Sequence, residues 1–148
     1  MTFASLQFQT SPYGYQHDYY TPELVTELPD DCIFVFGSNP EGRHGKGAAL
    51  VARQRFGAKY GQAEGLQGRS YGIITKELRR HYPPVTLAQV RAGIEGMMVF
   101  AANNDFLGFY VTKIGCNLAY FSEKQIGDIF RELMPLMPPN VILPKEFV

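Results

Sequence analysis

The segment from Cys32 to Gly61 constrains the fold of this chain more than any other part of it. A short apolar, β-prone run, Ile33 to Phe36, ends in Gly37-Ser38-Asn39. A loop follows in which Gly42, Gly45 and Gly47 are interleaved with Arg43, His44 and Lys46. It opens into a helical pattern from Gly47 to Phe56, with Ala48, Val51, Ala52 and Phe56 on one face and Arg53, Gln54 and Arg55 mostly outside. Gly57 supplies a left-handed terminator for that helix. Strand, glycine loop and helix N-terminus, in that order, bring backbone N–H groups close to a phosphate in α/β proteins. The alternative, that the glycines make only a tight connection, is weaker, because three of them at a helix start cost conformational entropy without an evident packing need.

The same alternation continues downstream. Ser70 to Thr75 reads as a second buried strand, and Pro83-Pro84 ends whatever precedes it. Thr86-Leu-Ala-Gln89 fits a capping box and opens a long helix with Leu87, Val90, Ile94, Met97 and Ala101 along its inner stripe. Gly93 and Gly96 weaken that helix by about 1 kcal/mol each against alanine, which predicts close packing on their face. Phe109 to Thr112 reads as a third strand, running into the small-residue loop Lys113 to Phe121. Ser122-Glu-Lys-Gln125 is a second capping box, for a helix with Ile126, Ile129, Phe130 and Leu133 inward and Pro135 as its stop. Asn140 to Leu143 is a final short strand. Strands alternating with helices indicate an α/β chain with a mainly parallel sheet covered on both faces. Ligands of such sheets sit at the carboxyl ends of the strands, and both glycine loops follow strand ends.

Residues 1–31 differ in character. Ser5 to Thr10 predicts a short strand, Ser11 to Tyr20 a tyrosine-dense loop, and Thr21-Pro22-Glu23 an N-cap leading into a short helix, Pro22 to Leu28. The expected organisation is an N-terminal arm, 1–31, packed on a single domain, 32–148. At 148 residues the chain can bury roughly 70% of its unfolded surface. Lys+Arg and Asp+Glu balance at 14 each, so no net charge drives phosphate-backbone binding and nucleic acid is a disfavoured partner. No apolar run reaches the about 18 residues of a membrane span. The opening Met-Thr-Phe-Ala-Ser-Leu-Gln lacks a basic leader region. Cys32 and Cys116 read as two buried thiols in a reducing compartment. The expectation is a soluble, cytoplasmic protein with no membrane partner. No cluster has metal-ligand spacing, no cofactor is implied, and the oligomeric state is open.

Better-known phosphate loops do not fit. In a Walker A loop a Gly-Lys pair is followed by Ser or Thr; here Gly45-Lys46 is followed by Gly47, so the magnesium-holding hydroxyl is missing. The dinucleotide fingerprint needs a tighter turn after the strand and an acid near the end of the next one, and neither stands out.

Arrangement and residues together resemble the macro domain, the ADP-ribose-binding module. In that family a strand ends in Asn-Ala-Ala-Asn and a Gly-Gly-Gly loop leads into a helix that finishes at a glycine. Phe36-Gly37-Ser38-Asn39 stands where Asn-Ala-Ala-Asn would be, Gly45-Lys46-Gly47 matches the triplet, and the spacing to Gly57 fits. Gly68 to Thr75 is similar to the next strand with its terminal Thr. Val111 to Phe121 looks like the Ser-Thr-Gly-Ile-Phe-Gly-Tyr loop that wraps the diphosphate. The phrase Phe-Gly-Ser-Asn…Gly-x-His-Gly-x-Gly-Ala-Ala is similar to a divergent macro-like group of bacterial and phage proteins. The resemblance covers residues 32–148. It implies a three-layer α/β/α macro-like domain with a mainly parallel mixed sheet, binding ADP-ribose or a related nucleotide diphosphate between the two loops. The implied ligand-binding residues are Asn39, His44, Gly45, Lys46, Gly47, Thr75, Gly115, Cys116 and Asn117.

The chain also departs from that pattern. The family's Gly-Asp-Ile acid, which holds the adenine, has no clear counterpart, with Asp18, Asp30 and Asp31 all in contention. The hydrolases of the family carry an aspartate two positions after the triplet, where this chain has Ala49. Without that carboxylate a water attacking the ribose lacks its usual base. Two alternative functions therefore stand beside binding. One is a hydrolase of ADP-ribosylated or NAD-derived substrates using His44 or Asp105. The other is a nonenzymatic interaction protein with a vestigial cleft and a partner-binding tyrosine arm.

Single residues also carry two readings each. Asn39 is a ribose contact or a turn residue capping its own backbone. His44 is a phosphate contact or acid/base group, or an exposed loop histidine. Lys46 is a phosphate contact, or one whose backbone alone binds. Cys116 reads as a small buried residue rather than a nucleophile. Asn117 suits a left-handed turn, and Tyr120 a stacking or cleft-narrowing role. Tyr13, Tyr15, Tyr19 and Tyr20 read as packing for the arm, in preference to a lid over a base. Arg79-Arg80-His81 reads as a solvated turn.

Overall fold

The computed structural model describes residues 8–10, 16–116 and 121–148. Its centre is β3 (Cys32–Ser38), an apolar strand in which every residue except Gly37 is buried. Continuous apolarity of this kind belongs to a strand covered on both faces, and the side chains divide accordingly. Phe34 and Phe36 point to one face, where Ala49, Ala52 and Phe56 cover them. Ile33 and Val35 point to the other and pack with Ile94, Met97, Ile126 and Phe130. The first face carries α1 (Gly47–Arg55), and the second carries α2 (Leu87–Ala102) and α3 (Glu123–Leu133). The result is a three-layer α/β/α arrangement.

The sheet is completed by β4 (Gly65–Gln67), β5 (Ser70–Ile74), β6 (Gly108–Val111) and β7 (Val141–Ile142), in the order β4-β5-β3-β6-β7. β5, β3, β6 and β7 run parallel, while β4 pairs antiparallel with β5. A separate antiparallel pair, β1 (Phe8–Thr10) and β2 (Gln16–Asp18), precedes them. The strand expected over Ser5 to Thr10 is present over its described part.

Both capping boxes form. Thr86 Oγ1 accepts from the Gln89 N–H (3.2 Å) while Gln89 Oε1 accepts from the Thr86 N–H (2.8 Å). Ser122 and Gln125 make the same reciprocal pair at 3.1 and 2.9 Å. β4 has no expected counterpart, because Gly-Leu-Gln carries no alternation to announce it. β7 is shorter than the expected strand; at its start the Asn140 carbonyl accepts from the Phe109 N–H (2.8 Å), and the Asn140 side chain donates to the Ala101, Asn104 and Leu107 carbonyls, tying down the end of α2.

The helix expected over Pro22 to Leu28 does not form. Thr21, read as its N-cap, instead donates its hydroxyl to the Ile142 carbonyl (3.1 Å) and its N–H to the Leu143 carbonyl (2.9 Å). The Leu28 and Pro29 carbonyls accept from the Arg69 guanidinium at 3.1 and 2.7 Å. Val25 is buried with Phe34 and Phe36. Long-range partners thus take the backbone groups and the apolar side chain that a local helix would have used, a tertiary override of weak local signals. Tyr13 and Tyr15 lie outside the described residues; Tyr19 and Tyr20 meet edge to face at 4.8 Å. Among the described residues no helix is long and apolar enough to cross a membrane.

Gly93 and Gly96 part company. A Cβ on Gly93 would lie 2.8 Å from Ile73 Cγ2, so the helix touches the sheet there as expected, but a Cβ on Gly96 would meet nothing within 4 Å. Gly93→Ala is therefore expected to lower stability by about 1–2 kcal/mol through overpacking. Gly96→Ala should raise it by up to about 1 kcal/mol through helix propensity. Urea denaturation midpoints of the two variants, shifted in opposite directions, are the check.

Candidate functional site

The sheet order places a crevice before any side chain is considered. From β3 the chain passes through α1 on one face and returns to the sheet on the β5 side. From the neighbouring β6 it passes through α3 on the opposite face to β7, on the other side. The two connections part at the carboxyl ends of β3 and β6, the switch point where open α/β sheets bind ligands. At this end the strands pack tightly. Thr112 Oγ1 donates to the Val35 carbonyl (2.8 Å), and the buried Thr75 hydroxyl lies near the Ser38 carbonyl (3.5 Å). A Cβ on Gly37 would stand 2.8 Å from Thr75 Oγ1 and 3.4 Å from the Gly115 N, so only glycine leaves room for the floor to close.

The first loop, 39–47, is held from within. Asn39 Nδ2 donates to the Arg43 carbonyl and Asn39 Oδ1 accepts from the Arg43 N–H, both at 2.9 Å. Asn39 therefore closes the loop on itself, the second of its two expected roles. Gly42 sits at φ +67, and a Cβ there would lie 2.6 Å from the Gly61 carbonyl carbon, so the loop presses backbone to backbone on the 59–62 turn. His44 contradicts both of its expected readings: it is neither an exposed loop residue nor open to a phosphate. Its ring is fully buried, edge-on to Phe36 with centroids 5.1 Å apart. Nε2 lies 3.0 Å from the Gln62 carbonyl and 3.2 Å from Gln67 Oε1. The carbonyl only accepts, which makes Nε2 the protonated nitrogen and leaves the buried Nδ1 with no partner.

What the loop turns outward is different. Arg43, Gly45, Lys46 and Gly47 are exposed. Lys46 is the N-cap of α1 by backbone position only: its side chain caps nothing, and no acid occupies the first helical turn. The first N–H groups of α1 thus carry no side-chain cap, in an exposed stretch with a lysine beside them.

On the other side, Gly115 sits at φ +74 with Ile126 Cδ1 2.9 Å from where a Cβ would be, so the loop beyond β6 is packed directly on α3. Lys113 is turned to carboxylates, at 3.0 Å from Glu123, 3.6 Å from Glu146 and 3.7 Å from Glu23, and is not offered to an anion. Its hydrogen bond to Glu123 holds the ammonium above its ordinary pKa. Cys116 is buried, its Sγ 3.5 Å from the Ile114 carbonyl. Burial, helped by the charge of Glu123, pushes its thiol up to about 11, which removes it as a nucleophile at neutral pH. Asn117 and Tyr120 lie outside the described residues.

The carboxylates considered for catalysis or adenine binding do not gather here. Asp105 follows α2 in the turn leading to Gly108, which pairs with Cys32 at the start of β3. It therefore sits at the opposite end of strands that run roughly 20 Å. Asp30 and Asp31 precede β3 and share that far end. Asp18 accepts from the Tyr110 hydroxyl (2.9 Å). Ala49 is buried in the apolar layer under Phe34 and Phe36. The solvated turn expected at Arg79-Arg80-His81 is present, with all three residues exposed; within it Arg79 grips Glu77 at 2.8 and 3.1 Å and stacks on Tyr82 at 3.6 Å. Among the described residues no group of three or more His, Cys, Asp or Glu is placed to hold a metal ion. A second concavity, unannounced by any motif, opens between β5 and α2; its one trace in the sequence is the pair Gly93 and Gly96.

The fold has a counterpart among solved structures. A protein of unknown function from Bacteroides thetaiotaomicron superposes with a TM-score of 0.53 at 17% identity, over 80% of this chain and 89% of that one. At that identity the similarity is one of fold. No known family profile matches the chain, and no curated protein matches it either.

Two outcomes are expected. His44→Ala should lower stability by about 2–4 kcal/mol in denaturant titrations, because it empties a buried ring site and strips a hydrogen bond. Both thiols should react slowly with a disulfide reagent at about pH 8 in the native protein and fully once it is unfolded. Cys32 is pushed up to about 12 by burial and then by Asp31.

Proposed function

We propose that the protein binds ADP-ribose or a closely related nucleotide diphosphate across the crevice between the 39–47 loop and the loop that begins at Thr112. The observation that carries this reading is the parting of the β3 and β6 connections beside an uncapped helix N-terminus. In it, the backbone of Gly45, Lys46 and Gly47 cradles one side of the diphosphate and the Lys46 ammonium adds charge. Gly115 and Cys116 close over the other side through their backbone. Asn39, His44 and Thr75 act as positioning residues: the first two hold the loop, and the third supports the floor at Gly37. The resemblance of both loops to those of the macro domain supports the choice of a nucleotide diphosphate over inorganic phosphate.

Binding is favoured over hydrolysis by the surroundings of the ligand. Ala49 is apolar and buried, His44 has its Nε2 committed to Gln62 and Gln67, and Asp105 is at the far end of the sheet. None of these is positioned as a general base at the mouth of the crevice.

Isothermal titration calorimetry with ADP-ribose is the direct test. We expect saturable heat, weakened about tenfold by Lys46→Glu, which replaces a charge-assisted contact by repulsion. Absence of heat at millimolar ligand, with an intact fold, would rule the reading out.

A further inference from the structure

A cavity of about 500 Å³ lies between β5 and α2, under the edge of the sheet that β4 forms. That volume is within the range of small-molecule sites, about 300–1,000 Å³. Pro40 is the one residue of the first loop that lines it, and none of residues 43–47 or 112–116 does, so it is separate from the proposed diphosphate contacts. Its origin is legible in α2. Gly93 brings the helix into contact with Ile73, and one turn further on Gly96 has no neighbour within 4 Å of where its Cβ would be. Glycine inside a helix is destabilising relative to alanine, and at Gly96 no close packing offsets this.

The chemistry of the walls is one-sided. The ionisable groups that line the cavity are Glu64, Glu77 and Tyr71, and no lysine, arginine or histidine joins them. Glu77 is neutralised by the forked contact from Arg79, at 2.8 and 3.1 Å. Glu64 makes no ion pair with any described residue. It lies two residues before Leu66, the residue paired with Tyr71 across β4 and β5, and Glu64 and Tyr71 both line the cavity; burial and then the charge of Glu64 raise the pKa of the Tyr71 phenol. Gln89, whose Oε1 is held by the Thr86 N–H, is the one other polar side chain of the wall; Ile74, Val85, Pro40, Pro83 and Ala92 make its apolar part.

We propose that this cavity is a binding site for a guanidinium or ammonium group carried on an aliphatic stem. The cation sits between the Glu64 carboxylate and the face of Tyr71, and the stem lies along Ile74 and past Gly96. A carboxylate with no ion pair among the described residues, the negative face of an aromatic ring and an apolar trough meet the charge, the π-face preference and the stem of such a ligand in turn. The shared chemistry is that of a free alkylguanidine and of an arginine side chain.

The test is an amide-resolved NMR titration of the whole chain with agmatine, with N-butylurea as an uncharged counterpart, and with a capped Gly-Arg-Gly peptide. Shifts at Tyr71, Gly72, Ile74 and Gly96 are expected with agmatine and not with N-butylurea. Glu64→Gln should weaken agmatine by about fivefold or more, and Gly96→Leu, which fills the trough from an exposed helix position, should abolish the shifts. Both variants are checked for an unchanged spectrum elsewhere, with Gly96→Ala as the fold control. Tighter binding of the peptide than of agmatine identifies a polypeptide side chain as the source, and the reverse order a free amine. No shifts with agmatine, equal shifts with N-butylurea, or undiminished affinity in Glu64→Gln would each overturn the proposal. The calorimetry with ADP-ribose reads a separate event, because none of the residues proposed to touch the diphosphate lines this cavity.

Discussion

Everything in this structure hangs on the burial of β3 from both sides. Phe34 and Phe36 anchor one layer and Ile33 and Val35 the other. Each large side chain so buried contributes something like 2–3 kcal/mol of transfer free energy. The same strand pairs in parallel with β5 on one edge and β6 on the other. Because parallel neighbours require crossovers, and crossovers place helices on the faces, the layers and the crevice both follow from the position of one strand. The parting of the chain at the carboxyl ends of β3 and β6 is a consequence of that centrality.

Within the first loop, the polar side chains and the backbone have exchanged the roles a sequence reader assigns them. Asn39 and His44 are the residues with chemistry, yet both are consumed in holding the loop, one by bonding Arg43 and the other by bonding the 62–67 segment. A buried polar group left unbonded is expensive, so their hydrogen bonds are spent inward. What the loop exposes is the stretch Gly45 to Gly47 and the Lys46 side chain, which caps nothing. Such an arrangement suits recognition of an anion by fixed dipoles, and it offers little to a reaction that needs a proton carrier.

Legibility followed the range of the forces involved. The capping boxes at Thr86 and Ser122, the terminator at Gly57 and the inner stripes of α2 and α3 are local, and they are found where the spacing places them. The expected helix at Pro22 to Leu28 rested on equally local signals and did not form, because Thr21, Leu28 and Pro29 were claimed by partners 40 or more positions away. β4 escaped notice for the complementary reason: three residues with no pattern become a strand only because β5 offers an edge. The burial of His44 depended on Gln62 and Gln67, which no rule of spacing connects to it.

The sequence by itself determined the alternation of strand and helix, the two small-residue loops at strand ends and the apolar continuity that makes β3 central. These are properties of a few adjacent residues and their periodicity. Tertiary structure alone decided which way each side chain of the loop faces, that Asp105 and Asp31 stand at the far end of the sheet, and that the gap beside Gly96 becomes a cavity with an acidic rim. Those outcomes depend on which distant groups compete for the same hydrogen bonds and the same space, and that competition is settled only when the layers close on one another.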